Sequence, residues 1–314
     1  SRITRLAVGE GAEYVPLVRR SHALWLQLEA ASGESLYRAC GGLVMGGGVA
    51  SPMHGQRNFF DSTVAVAAAH GIAHELLDAA GIAARWPQFG LSGEERGYFE
   101  PEAGYLRPEA CVAAQLAQAQ ARGAELRTGE RLLGWGRDAQ GLWVDTDSRR
   151  YRPGSAVFCL GAWLPGVLPA PRLHVTRQVL HWFAADDPGA YGEDHFPIFI
   201  WNWGPGEGEV YYGFPDLGGG VKVATEGHAV CDPDAVKREV TAAEIDTMYQ
   251  RHVRGRLRGV QPRSLRAATC LYTEARGARF WIERVEQGPI VVSACSGHGF
   301  KHSAAVGEAV AQWA

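Results

Sequence analysis

The sequence predicts a mixed α/β fold in which two domains share one polypeptide and each is visited more than once. Three observations carry this. Blocks of helical period alternate with short apolar or alternating blocks. The 314 residues, 46% hydrophobic and 21% charged, suffice for one large or two interleaved globular domains and exclude a disordered or fibrous chain. No run of about 18 consecutive apolar residues offers a membrane-spanning helix.

Taken in order, residues 12–31 set Val15, Leu17, Val18, Leu24, Leu26 and Leu28 at helical spacing, which predicts a helix. The short run from Cys40 to Gly48, bracketed by glycines, suits a buried strand. A second helix is expected over 61–80, with Asp61 as its N-cap and Gly81 as its stop. A third covers 108–122, where Pro108 fits the first turn and Gly123 ends it. From there the period shortens. Leu142 to Thr146 and Ala156 to Leu160 read as strands, separated by the DAQG and RPGS turns. The segments HVTRQVLHWFAA, FPIFIWNW, EVYYGFP and GGGVKVAT, within 174–225, read as strands of an antiparallel sheet. Helix returns over 232–256, opened by Asp232 and Pro233, and the end is a strand from Ile290 to Cys295, a glycine-containing turn and a helix opening near Phe300.

The formal net charge of −3, from 31 Lys+Arg against 34 Asp+Glu, comes without a basic run and gives no electrostatic reason to expect nucleic acid or an acidic membrane surface. Six scattered cysteines without a CxxC pair fit a reduced, cytoplasmic setting. The opening SRITRLAVGEG has no initiator Met or signal segment, and the close falls in a helical pattern, so the chain reads as a piece of a longer polypeptide.

Several positions offer chemistry. Backbone N–H groups at a helix start carry partial positive charge, so the SGHG turn before Phe300 is a seat for an anion or an electron-rich ring edge, with Lys301 adding a full charge. The same turn also reads as an ordinary connection in which glycines allow tight packing. Cys270, in AATCLYT, reads as a buried small hydrophobe or as a reactive thiol. Alternation sets Lys222 among apolar residues, where a lysine is rare unless paired or functional; an edge lysine facing solvent is the other reading. Arg2 and Arg5 would share a face on a helix or belong to a frayed terminus. His70 and His74 are four apart, but without an HExxH glutamate they do not make a zinc site, and no other metal pattern occurs. There is no GxSxG nucleophile elbow and no strand-GxGxxG-helix, so a dinucleotide loop, if the longer polypeptide has one, is expected upstream of Ser1.

The ordered motifs TRQVLHWF (176–183), VYYGFPDLGGGVKVAT (210–225), DPDAVKREV (232–240), ATCLYT (268–273) and SGHGFKHSAAVGE (296–308) together resemble the monomeric sarcosine oxidase and N-methyltryptophan oxidase family, FAD-dependent amine oxidases of the D-amino-acid oxidase superfamily. Residues 2–25, RWP (85–87), FEPEAGYLRPE (99–109) and CLGAW (159–163) extend the likeness over essentially the whole chain. The resemblance implies a Rossmann-like FAD-binding domain over 1–40, 96–173 and 269–314, lacking its first βαβ unit, and a substrate domain on an antiparallel sheet over 41–95 and 174–268. It implies oxidation of a secondary amino acid to an imine, with O2 reduced to H2O2, by a cytoplasmic monomer.

Residue by residue, the resemblance makes Cys270 the covalent flavin attachment point and Lys222 the residue that assists reaction with O2. Arg5 and Lys301 hold the substrate carboxylate, with Arg2 close to the flavin. Tyr212 and Tyr272 line the active site. Leu132, Leu160, Gly161, Ser296, Gly297, His298, Gly299, Phe300 and Lys301 become cofactor-binding positions. The chain departs from the family where a histidine commonly follows the oxygen-activating lysine by four: here that position is Glu226, with His228 two further on, and a carboxylate there alters amine selectivity. Segment 274–282 also lacks the acidic run of the best-known members. A related dehydrogenase or imino-acid oxidase, or a non-catalytic carboxylate-binding fragment, are the alternatives.

Overall fold

The computed structural model describes residues 1–46, 53–168, 173–206, 208–226 and 229–314. Its centre is an eight-stranded sheet. Across it run Val260–Ala275, Leu173–Ala185, Val221–Thr225, Val210–Phe214, Ile198–Asn202, Gly42–Gly46, Arg96–Glu100 and Glu75–Asp78. All neighbours are antiparallel except Gly42–Gly46 against Ile198–Asn202, which is parallel. Those two strands, GLVMG and IFIWN, are buried at every position, as central strands covered on both faces must be. The expected antiparallel sheet over 174–225 is therefore present. Three small sheets of three strands each surround it.

Alternation divides the large sheet into two environments. One face carries Leu43, Met45, Phe99, Phe183, Phe199, Trp201, Tyr211, Val221 and Val223 into the main core, where Ile82, Trp86, Phe89, Met248 and Val253 cover them. Each such side chain contributes roughly 1.5–3 kcal/mol on burial. The other face holds the site described below.

Two expected helices are shorter than their patterns suggest. The helix expected over 61–80 is Phe59–Ala69, and Asp61 sits in its first turn behind Asn58. Gly71 adopts φ 59°, Ile72 N–H donates to Ala67 O at 3.0 Å and Gly71 N–H to Ala68 O at 3.4 Å. This double closure ends a helix wherever a glycine takes the left-handed conformation. Glu75–Asp78 then pairs with Arg96–Glu100 as an edge strand, and Asp78 caps a new helix, Ala79–Arg85. The helix expected over 232–256 narrows to Ala242–Met248 and a π turn over Tyr249–Val253. Its start is not Asp232 but Thr241, which forms a capping box with Glu244 that satisfies two exposed N–H groups at once. The strand expected over Ala156 to Leu160 is only Val157–Phe158.

The helices Val15–Ser32 and Pro108–Ala121 and the close, strand Ile290–Ser293 followed by a turn and Ser303–Trp313, agree with their patterns. The strand Val260–Ala275, sixteen residues long, carries Cys270 and pairs along Leu173–Ala185. None of its described helices is long and apolar enough to cross a membrane.

Candidate active site

Register builds the site. Directly paired residues of an antiparallel ladder point to the same face. Ile200 lies opposite Tyr212, Tyr212 opposite Ala224 and Phe214 opposite Lys222. Leu180 lies opposite Ala224, Cys270 opposite Gln178 and Tyr272 opposite Thr176. The period of two thus delivers Lys222, Tyr212, Cys270 and Tyr272 to one side of the sheet, away from the main core.

Three segments roof this face: Arg2–Thr4 with the loop through Glu10, the turn around His54, and the turn from Ser296 to Lys301. They line a pocket of about 620 Å³, its open mouth included, formed by Arg2, Arg5, Glu10, His54, Tyr212, Lys222, Glu226, Cys270, Tyr272, Gly297, His298, Phe300 and Lys301, with apolar walls from Ile3, Met53, Leu180, Ile200 and Phe214. A wider cleft of about 1160 Å³ adjoins it.

Arg2 and Arg5 are neither helical nor frayed. Arg2 belongs to a strand paired with Gly104–Leu106, and Arg5 is 2% exposed. The backbone after Arg5 is pinned by the buried Glu100 carboxylate, which accepts from Leu6 N–H at 2.6 Å, Ala7 N–H at 3.1 Å and the Tyr98 hydroxyl at 2.9 Å. Arg5 donates to Glu10 Oε2 at 2.7 Å, lies over the Phe59 ring at 5.0 Å, and leaves its Nε unpartnered.

Glu10 is a site residue that the sequence patterns did not single out. Lys301 Nζ donates to Glu10 Oε1 at 3.2 Å and to His298 O at 2.9 Å, so both expected carboxylate-binding cations close on one internal carboxylate. Burial pushes the Glu10 carboxyl up, and Arg5 and Lys301 more than offset this and hold it well below its ordinary value. Burial, opposed by Glu10, lowers Lys301 to about 8. The three groups together carry one net positive charge, which is matched by one carboxylate from outside.

Lys222 is an inward lysine, 3% exposed. Its Nζ donates to Ser1 O at 2.9 Å and Ser1 Oγ at 3.3 Å and stands over the rings of Phe214 at 4.4 Å and Trp182 at 5.3 Å. Burial, with help from Arg2, lowers it to about 7. Burial also pushes the Cys270 thiol up, while Arg2 and Lys222 pull it back. Tyr212 and Tyr272 share a hydroxyl hydrogen bond of 3.1 Å, and burial raises both phenols.

The SGHG turn is tied to the strand bearing Cys270. Ser296 N–H donates to Thr273 O at 2.9 Å and Ala275 N–H to Ser296 Oγ at 3.2 Å. Gly297 adopts φ 79°, and a Cβ on it would lie 2.8 Å from His54 Cε1 and 3.1 Å from Tyr272 Cε2, so only glycine keeps this wall open. A Cβ on Gly299 would lie 1.6 Å from Ala294 O. Burial and Lys301 lower His298 to about 3, which leaves it neutral. His54 Nε2 meets Glu226 Oε1 at 2.8 Å.

Some expected positions lie elsewhere. Ser296 faces the adjoining cleft rather than the cavity. Leu132 and Leu160 pack around Phe158, Leu164 and Val291 in a separate apolar cluster, and Gly161 is exposed at φ 53°; none of the three lines the cavity. His228 falls outside the described residues. His54 had no sequence signal beyond being one of eleven histidines, and Glu10 none beyond its two flanking glycines.

The residues present fit a flavin ring. The cavity offers a thiol, a half-buried cation at Arg2 and a buried one at Lys222, glycine backbone at 297 where a side chain would intrude, and the unpartnered polar atoms Arg5 Nε and His298 Nδ1. This donor set suits an electron-rich, hydrogen-bonding heterocycle.

Comparison with known proteins agrees. Over all of this chain and 82% of its partner's length, the sequence is 35% identical to the monomeric sarcosine oxidase of Streptomyces avermitilis. It is 31% identical to the N-methyl-L-tryptophan oxidase of Yersinia pestis, over all of this chain and 83% of that protein. The open form of NikD, an unusual amino acid oxidase essential for nikkomycin biosynthesis, superposes with a TM-score of 0.78 at 22% identity, covering 93% of this chain and 78% of that one. Residues 3–313 match the family of FAD dependent oxidoreductases. Sheet, cavity and sequence thus agree, and the chain belongs to the FAD-dependent oxidoreductase family.

Proposed function

We propose that the protein oxidises a secondary, N-methyl amino acid to an imine, which water hydrolyses, and passes the electrons to O2 to give H2O2. The observation that carries this reading is that one cavity joins the Cys270 thiol, the buried Lys222 and the Arg5, Glu10 and Lys301 cluster. FAD, when bound, supplies the two-electron acceptor chemistry. Arg5 and Lys301 bind the substrate carboxylate through the net positive charge that Glu10 leaves them, and this orients the N-methyl group. Ile3, Leu180, Ile200 and Phe214 exclude water. Tyr212 and Tyr272, linked through their hydroxyls, fix the wall beside the substrate. Cys270 is the covalent attachment point, with Arg2 next to it.

Lys222, in its protonated form, supplies a cation where O2 gains charge, and its place in the cavity that Cys270 also lines favours oxidase over dehydrogenase chemistry. The segments 1–40, 96–173 and 269–314 serve the cofactor, and 41–95 and 174–268 the substrate. The sarcosine oxidase relative is named as monomeric, which supports a monomer here, and the cysteine pattern supports a cytoplasmic setting.

The test is O2 uptake and peroxide formation by the FAD-loaded protein with N-methylglycine and larger N-methyl amino acids. Uptake with equal moles of peroxide is the expected result. Flavin reduction by the amine without O2 consumption would leave a dehydrogenase, and absence of flavin reduction by any amine would overturn the reading.

A further inference from the structure

The cavity and the adjoining cleft have Met53, His54, Glu226, Tyr272 and Gly297 in common. The contact of His54 Nε2 with Glu226 Oε1, 2.8 Å long between side chains 8% and 17% exposed, therefore stands at the neck between an inner and an outer space. The neck is a built feature. His54 holds the left-handed φ of 47°, which a non-glycine residue keeps only when its surroundings enforce it. Met53 and Gln56 exchange two backbone hydrogen bonds of 2.9 Å around it, and Gln56 Nε2 donates to Glu10 O at 3.0 Å. The imidazole lies edge-on to His298 at 5.3 Å and against the Gly297 backbone.

Resting on the amine-oxidation reading, we propose that the His54–Glu226 pair takes the proton from the substrate's ammonium in the inner cavity and passes it to water in the outer cleft. An amino acid in water carries its amine protonated, whereas loss of hydride from the carbon beside nitrogen requires the nitrogen lone pair. In the transfer the substrate N–H bond breaks and its electron pair stays on nitrogen. The proton goes to the imidazole of His54 and then to the cleft; nothing is oxidised or reduced. With Nε2–H donating to Glu226, Nδ1 is the basic nitrogen, and Glu226 stabilises the imidazolium that forms.

The charged groups facing His54 are Glu226, Glu10 and Lys301, beside the neutral His298. Burial would lower the imidazole, but Glu226 and Glu10 prevail over it and over Lys301, and hold His54 above its ordinary value. Lys222, lowered to about 7, and Lys301, lowered to about 8, line the inner cavity and not the cleft.

The experiment is anaerobic reduction of the holoenzyme at saturating N-methyl amino acid as a function of pH, in the parent, His54→Gln and Glu226→Gln. For His54→Gln the limiting rate is expected to fall about 100-fold near neutrality with half-saturation changed much less. For Glu226→Gln the acid limb is expected to move to lower pH. An acid limb in the same place in all three proteins, or rates unchanged by both substitutions, would overturn the proposal. The imidazole titration of His54, read from ¹⁵N chemical shifts in the parent and Glu226→Gln, separates the two readings. If no amine reduces the flavin, the amine-oxidase reading fails by itself; an unmoved His54 midpoint in Glu226→Gln overturns the pair whether or not any amine is oxidised.

Discussion

Lys301 and Glu10, 291 residues apart in sequence, meet at 3.2 Å with side chains 5% and 3% exposed, and Arg5 closes on the other oxygen of the same carboxylate at 2.7 Å. Removing Glu10's charge leaves two buried cations with no internal counter-ion, and breaking a buried pair in this way costs about 3–5 kcal/mol. Glu10→Gln is therefore expected to lower the unfolding free energy, read from urea denaturation, by that amount, and added acetate is expected to recover part of the loss by supplying the missing anion. A midpoint within error of the parent would show that the carboxylate does not hold the cluster.

Lys301 titrates near 8, so the charge offered to a substrate carboxylate is present below that pH and lost as pH rises through it. Affinity for a simple carboxylate such as acetate, followed by calorimetry, is expected to fall by up to about tenfold per pH unit above that point. Lys301→Arg keeps its charge throughout and should flatten the alkaline decline.

For Lys222 the folded value of about 7 lies below the ordinary 10.5. Between them the unfolded chain binds a proton that the folded chain has released, so stability rises with pH across that window. Lys222→Met removes this slope. Its advantage over the parent in unfolding free energy is expected to be largest below pH 7 and to shrink towards pH 10, as measured by urea unfolding at three pH values. In the same variant, O2 reoxidation should slow by about 100-fold or more, while anaerobic reduction changes little; equal losses in both steps would count against an oxygen-directed role.

Cys270→Ala tests attachment. Acid precipitation of the parent is expected to give a yellow pellet, and of the variant a colourless pellet with flavin in the supernatant. A yellow variant pellet would remove Cys270 from that role.

Much of this was legible in the sequence because strand period and side-chain direction are locally determined. The alternation in GGGVKVAT set Lys222 among apolar residues and left an inward and a solvent-facing side open, and SGHGFK marked the turn before the last helix. Glu10 and His54 were not legible, since their meaning comes from contacts with Lys301 and Glu226, far away in the chain. The overlong helices had a local cause: Gly71 sits in an Ala-rich pattern that otherwise continues, and only its positive φ decides the stop. Thr241 and Glu244 show the same at the other end of a helix, where a three-residue spacing outweighs the Asp-Pro signal upstream.

Ser21, on the helix Val15–Ser32, accepts the Ala305 N–H of Ser303–Trp313 at 3.0 Å, and the Arg20–Glu308 ion pair joins the same two helices. One of these helices begins shortly after Glu10 and the other directly after Lys301. The two arms that hold the Arg5, Glu10 and Lys301 cluster are thus joined by a helix-to-helix seam, in which Ser21 and Ala305 meet. Enlarging one of them would retune the grip from outside the cavity, without touching any group that meets the substrate.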